Sequence, residues 1–285
     1  MVWPVSAASA AALRELAGRL VPVAGTAADL DAVGVVLATG RARLPHRAVI
    51  GAADRDGLVA ALTALAHDRP DPRVVTGSYR PGGKLAVAFT GQGSQRVGMG
   101  MDIYHQHRLY AETFDTICEL FDPLLPRPLR DVITSHDDAA IHDTRYTQPA
   151  IFAVEVALYT LLQHYGLQPD YLLGHSIGEL TAAHLAGLWT LPDACTLVAA
   201  RGRLMDALPA GGAMLAVQAT EAEVGAALTP GAGIAAINAP GAVVVSGDTG
   251  AVGAVAEHFT ALGRRTSRLR VSHAFHSARM EPMLA

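Results

Sequence analysis

Apolar residues recur at helical spacing after Ser9, with Leu13, Leu16 and Leu20 on one side, so residues 10–20 are predicted to form a helix capped by the Ser9 hydroxyl. A second helical pattern covers residues 56–66, and the run RAVIGA between the two predicts a strand. The next stretch, HDRPDPRVVTGSYRPGGK, is dense in proline, glycine and charge; that composition reads as a linker and puts a domain boundary near Gly82. From Leu85 the pattern changes to short apolar runs opening onto glycine turns, LAVAFTGQG and YLLGHSIG, each followed by helical spacing. Strands alternating with helices predict a mainly parallel α/β sheet with ligand sites at the carboxyl ends of its strands. Residues 149–165 and 191–208 are further predicted helices, the latter with Pro192 in its first turn. Between residues 212 and 272, AMLAVQA, GIAAI, AVVVSG and RTSRLRVS are strand-like, EAEVGAAL and GAVGAVAEHFTAL helix-like, and NAPG a tight turn. This β-α-β-β-α-β order is that of a ferredoxin-like unit, inserted between the helix carrying Arg201 and the segment carrying His276.

At roughly 150 residues per domain, the 285-residue chain holds about two domains. With 51% apolar and 17% charged residues it can bury a sizeable core, which argues against a disordered, collagen-like or charged coiled-coil chain. The 22 basic and 26 acidic residues leave a net charge of −4, so neither nucleic acid nor a polybasic membrane contact is an expected partner. Cys118 and Cys195 form no CxxC pair, so no disulfide framework or cysteine zinc site is indicated. The longest nearly apolar stretch, residues 149–162, is interrupted by Glu155 and is too short to span a bilayer. The residues MVWPVSAASAAALREL lack the basic and apolar regions of a signal peptide, and a reducing, cytoplasmic location is expected.

Candidate chemistry centres on Gly174-His175-Ser176-Ile177-Gly178, between an apolar strand and a helix. Two glycines permit the sharp strand-to-helix turn of a nucleophile elbow, which exposes Ser176 and aims the next backbone N–H at a reacting oxygen. The helix N-terminus adds partial positive charge there. A serine hydroxyl needs a base within hydrogen-bond reach. Of twelve histidines, His273 and His276 in VSHAFHS follow a predicted strand and fall at the same sheet edge. His105, His107, His136 and His142 lie in polar segments without a carboxylate pattern for a metal, so no metal site is expected. Arg201 falls inside an apolar stripe with Ala194, Leu197, Val198, Leu204, Met205 and Leu208. A guanidinium so placed needs an anion, either a protein carboxylate or a substrate carboxylate held bidentately. The loop Gly91-Gln92-Gly93-Ser94-Gln95 lets its backbone approach a ligand closely, and lacks the lysine of a phosphate loop.

GQGSQ, TQPA, GHSIGE, the RGRLM helix, NAPGAVVVSG and HAFHS, in this order and at these spacings, resemble the malonyl-CoA:acyl carrier protein transacylase family. They are most similar to the acyltransferase domain of a modular type I polyketide synthase. The resemblance implies a ketosynthase-to-acyltransferase linker domain of small α/β type over residues 1–82. It implies a hydrolase-like large subdomain over 83–211 and 273–285, and the ferredoxin-like small subdomain over 212–272. Family members continue past the HAFH segment, so the large subdomain is expected to be truncated at its C-terminus. Carried over by motif, Ser176 is the nucleophile, His276 the base and Arg201 the holder of the extender carboxylate. Gln92 and Ile177 supply oxyanion-hole N–H groups, and Gln148, His175 and Asn238 lie near the site. HAFH resembles malonyl-selective variants, where methylmalonyl-selective ones read YASH, which puts specificity at His273 and Phe275. The implied activity is loading of malonyl from malonyl-CoA onto the phosphopantetheine thiol of an acyl carrier protein in polyketide biosynthesis. An adjoining ketosynthase is a further implied partner, and no cofactor is implied. Two rivals stay open. A serine hydrolase would place an acid between Ser176 and His276 in chain order, where Asp193, Asp206 and Asp248 are available. The other is a catalytically inert docking segment.

Overall fold

The computed structural model describes residues 1–135, 139–269, 271 and 273–284, and the chain divides into two compact units, Met1–Gly83 and Lys84–Ala285. In the first, strands β1 (Val2–Ala7), β2 (His46–Gly51) and β3 (Val74–Ser78) form an antiparallel sheet in that order. Helices α1 (Ala10–Thr26), α2 (Leu30–Thr39) and α3 (Arg55–Ala66) complete the unit, whose core joins Trp3 and Ile50 to Leu13, Ala17, Leu58 and Leu62. Ser9 caps α1 by accepting from the Ala12 N–H at 3.1 Å, and the helix continues through Pro22 to Thr26, where the buried Ala24 holds the additional turn in place.

The stretch expected to be a linker contains β3. Nearly all of its side chains are exposed, so no apolar alternation marks it, and ladder bonding to β2 holds it in place. The strand β1 and the helix α2 are also absent from the pattern-based expectation. The apolar residues of α2 do not form a single buried stripe, since Val35 and Val36 are exposed, although Asp29 caps it by accepting from Ala32 N–H at 2.9 Å.

In the second unit, β4 (Ala86–Phe89) pairs in parallel with β5 (Tyr171–Gly174), with Phe89 opposite Gly174, so both strands end at one edge. These two strands are all of the parallel sheet among the described residues. The chain between them is helical: α4 (Met101–Gln106), α5 (Arg108–Phe121), α6 (Leu129–Thr134), α7 (Ala139–His142) and α8 (Thr144–His164). Helix α8 begins at Thr144 and not at Pro149, because Thr144, Tyr146, Thr147 and Gln148 are themselves buried. Helices α9 (Ile177–Leu185) and α10 (Leu191–Asp206) follow β5, and Phe114, Phe121, Phe152 and Val198 join α5, α8 and α10 in one core.

Strands β6 (Gly212–Val217), β7 (Ala232–Ala239), β8 (Ala242–Asp248) and β9 (Thr266–Arg268) form an antiparallel sheet in the order β7-β8-β6-β9. With α11 (Glu221–Ala227) after β6 and α12 (Thr249–Ala261) after β8, this is a ferredoxin-like unit within an α/β fold. Two details differ from expectation. The NAPG segment is not wholly a turn: β7 runs on to Ala239, Pro240 and Gly241 make the turn, and an irregularity between Ile237 and Ala239 takes Asn238 out of the ladder. The strand expected over RTSRLRVS is confined to Thr266–Arg268, and of that segment Arg270 and Ser272 lie outside the described residues. Among the described residues no helix is long and apolar enough to cross a membrane.

Candidate active site

At the common edge of β4 and β5 the chain makes a turn that only its own residues allow. Ser176 sits at φ 56°, ψ −111°, a conformation that costs a non-glycine residue about 1–3 kcal/mol. A Cβ on Gly174 would fall 2.0 Å from the Gly178 carbonyl carbon, and one on Gly178 would fall 2.5 Å from the Phe89 carbonyl oxygen. Both positions therefore require glycine. The His175 N–H donates to the Phe89 carbonyl at 3.0 Å, and the Gly174 N–H donates to the Glu179 carboxylate at 2.8 Å. Ser176 thus immediately precedes α9, with Ile177 as its first residue.

The His276 Nε2 lies 2.9 Å from Ser176 Oγ. His276 itself has φ 57°, and its segment is fixed by short-range bonds: Phe275 N–H to the His273 carbonyl at 3.0 Å and the Ser277 hydroxyl to the Ala274 carbonyl at 2.7 Å. Burial lowers the His276 pKa, and the nearby Arg201 and His175 lower it further. All three causes favour the neutral imidazole over the charged one.

Arg201 projects from α10 toward the same serine. Its Nη2 donates to Ser176 Oγ at 3.2 Å and its Nη1 to Gln148 Oε1 at 2.6 Å, while Gln148 Nε2 points at Met205 Sδ at 3.2 Å. Burial lowers its pKa, and among the described residues no carboxylate pairs with it. Asp206, one turn along, is engaged by Arg145 instead.

Gln92 stands between Gly91 and Gly93, and a Cβ on Gly91 would fall 2.5 Å from His175 Nδ1, so this loop and the elbow are in close contact. Among the described residues, neither the Gln92 nor the Ile177 backbone N–H has an acceptor within the chain. The Gln92 side chain donates to Thr144 Oγ1 at 3.4 Å.

A cavity of about 220 Å³ opens on Ser176, His276 and Arg201, with Gln92, Gln148, His175 and Asn238 at its polar side and Met205, Met214, Val244 and Phe275 among its apolar walls. His273, expected beside the substrate, does not line it; its Nε2 lies 2.9 Å from the Leu208 carbonyl oxygen. The three aspartates that a hydrolase triad would draw on are occupied elsewhere: Asp193 by Thr190, Asp206 by Arg145 and Asp248 by Arg279. Of the other histidines, His142 meets Gln95 and His107 meets Tyr165, while His136 lies outside the described residues. No group of three or more metal-ligating side chains is assembled among the described residues.

Sequence patterns gave no role to Glu155, which registers there only as an interruption of an apolar run. On α8 it accepts the Thr90 N–H at 2.6 Å and hydroxyl at 3.1 Å through Oε1, and the Thr181 hydroxyl at 2.8 Å through Oε2.

Comparison with known proteins adds four findings. Residues 87–285 match the family model described as "Acyl transferase domain". The chain is 53% identical over 286 residues to the phenolphthiocerol synthesis polyketide synthase type I Pks15/1 of Mycobacterium marinum, covering 99% of this chain and 14% of that protein. It superposes with a TM-score of 0.75 and 48% identity on the acyltransferase domain from the second module of the salinomycin polyketide synthase, covering 99% of this chain and 67% of that one. With 29% identity and a TM-score of 0.63 it also resembles the malonyl CoA-acyl carrier protein transacylase from Clostridium perfringens, over 70% of this chain and 65% of that one.

Proposed function

From the premise that the chain belongs to the acyl transferase domain family found in type I polyketide synthases, we propose that it loads malonyl from malonyl-CoA onto an acyl carrier protein. One observation carries the reading: beside the paired Ser176 and His276 stands a guanidinium, Arg201, that has no protein carboxylate to neutralise it among the described residues. A malonyl group supplies both a thioester for the serine and a free carboxylate for the arginine.

In the first half-reaction His276 Nε2 takes the Ser176 proton as Oγ bonds to the thioester carbonyl carbon. Charge develops on the carbonyl oxygen, opposite the N–H groups of Gln92 and Ile177. The C–S bond then breaks, and the proton on His276 leaves with the coenzyme A thiol. In the second, the phosphopantetheine thiol of the carrier protein gives its proton to His276 and attacks the acyl-serine. Oγ departs and takes the proton back. A cavity of about 220 Å³ is smaller than a pocket for a drug-sized ligand, so it takes the acyl group and leaves the coenzyme outside.

Residues 1–82 are read as the ketosynthase-to-acyltransferase linker, with the adjoining ketosynthase as a second partner and the cytoplasm as the place of action. No cofactor takes part in these steps. The chain spans 14% of the M. marinum synthase, which fits one domain of a longer assembly line. A hydrolase is the weaker reading, since the available aspartates are turned to other partners.

Intact-mass analysis after incubation with malonyl-CoA tests the proposal. The expected result is one malonyl group on wild type, none on Ser176→Ala, acylation slowed about 10²–10⁴-fold in His276→Ala, and transfer to a holo carrier protein. Release of the acyl group to water, with none gained by the carrier, would support a hydrolase instead.

A further inference from the structure

We infer that Glu155 is a positioning residue that sets the two halves of the oxyanion hole against each other, an inference that rests on the acyl transfer proposed above. Gln92 and Ile177 come from different elements, one from the turn after β4 and one from the start of α9. Glycines flank Gln92, with Gly93 at φ 124°, and the bonds inside the turn, Gly93 N–H to Gln95 Oε1 at 2.7 Å and the Ser94 hydroxyl to the Gly91 carbonyl at 3.4 Å, shape it locally without tying it to α9. The carboxylate of Glu155 supplies the constraint from outside. Its Oε1 holds the backbone N–H and hydroxyl of Thr90, two residues before Gln92, and its Oε2 holds the hydroxyl of Thr181, one turn into α9 from Ile177. Thr90 is further tied to Ser94 beyond the turn, with their hydroxyl oxygens 2.9 Å apart. One side chain thus spans both elements that present an N–H to the developing oxyanion.

Glu155 has no cation to neutralise it among the described residues, and burial raises its pKa. A half-buried carboxylate held only by three donors is a costly way to fill space. It is an effective way to fix two hydroxyls and a peptide group at once, because hydrogen bonds to a charged acceptor are short and strong. Small displacements of oxyanion donors lower rate and leave substrate affinity intact.

The experiment is single-turnover acylation and deacylation on the full chain, with rates expressed per chain acylated at the end point, and KM for malonyl-CoA measured alongside. Glu155→Ala is expected to slow both half-reactions by about 10- to 100-fold with KM and the malonyl-to-acetyl ratio unchanged. Glu155→Gln is expected to restore most of the rate, since its amide oxygen can accept from Thr90 while its NH₂ donates to Thr181 Oγ. Thr181→Val removes the α9 contact alone and is expected to slow both steps several-fold. Wild-type rates per acylated chain in Glu155→Ala and Thr181→Val would make Glu155 a structural brace only and overturn the inference, whatever happens to the melting points. So would a Glu155→Gln as slow as Glu155→Ala. If the alanine variant does not fold, Glu155→Gln and Thr181→Val decide the matter: Gln fast and Val slow supports positioning, and any other pairing refutes it. A wild-type chain that takes up no malonyl would bring down the proposed function itself.

Discussion

Replacing Arg201 with methionine separates a substrate clamp from a structural ion pair, because the two predict losses of stability of very different size. The guanidinium has two polar contacts, Gln148 Oε1 at 2.6 Å and Ser176 Oγ at 3.2 Å, and its pKa is lowered by burial with no carboxylate to oppose that. Methionine removes the desolvated charge, which stabilises the free protein, and leaves Gln148 Oε1 without its donor, which costs about 1–3 kcal/mol. These effects oppose each other at similar size. A change in Tm within about 4 °C is therefore expected for a unit of this length. Breaking a buried ion pair would instead cost about 3–5 kcal/mol, or roughly 6–20 °C. Function should move the other way. A charge-assisted contact to the malonyl carboxylate is worth about 1.5–3 kcal/mol, so malonyl loading should fall about 10- to 150-fold. Acetyl loading should hold or rise. The assay is intact-mass competition from equimolar malonyl-CoA and acetyl-CoA, with a thermal melt of the same samples. Undiminished malonyl preference, or a large loss of Tm recovered by also removing an acidic side chain, would refute the clamp.

Phe275→Ser should relax the preference for malonyl over methylmalonyl in competitive loading, since Phe275 walls the cavity and overpacking by a methyl branch costs about 1–3 kcal/mol; His273→Tyr alone should not, because His273 faces the Leu208 carbonyl. An unchanged ratio in folded Phe275→Ser would place the determinant elsewhere. The acid limb of the acylation rate should fall at a lower pH than an ordinary histidine would give, because burial, Arg201 and His175 all lower the His276 pKa. Arg201→Met removes one of those causes and should shift this acid limb to higher pH; a limb that stays or moves down would contradict the assignment of His276 as base. Gly178→Ala should cost about 10²-fold in acylation, since its Cβ would lie 2.5 Å from the Phe89 oxygen and 2.6 Å from that of Thr90, whereas Gly225→Ala meets nothing within 4 Å and should be silent.

What the sequence determined alone is the local chemistry of each element. Gly174 and Gly178 around Ser176 announce a turn whose sterics the structure reproduces to the atom, and the alternation of apolar strands with helices in residues 212–272 marks the ferredoxin-like unit. An arginine in the apolar stripe of α10 is conspicuous in one dimension because a buried charge is costly wherever it sits. Other features leave no local trace. Strand β3 is held by hydrogen bonds to β2 and not by burial, so composition makes it look like a linker. Thr144 to Gln148 join α8 because they are packed, which no periodicity records. Whether Arg201 met a protein carboxylate or was left for a ligand depended on which side chains folding brought to it, and these are Gln148 and Ser176. His273 and Phe275 are two residues apart in HAFH, yet one faces the Leu208 carbonyl and the other the cavity. Glu155, an interruption in an apolar run, acquires its meaning only when folding brings Thr90 and Thr181, 91 positions apart along the chain, within reach of one carboxylate. Residue type and near-neighbour spacing set what each segment can do, and long-range contacts choose the partners, because hydrogen bonds and ion pairs depend on distances that the order of residues does not contain.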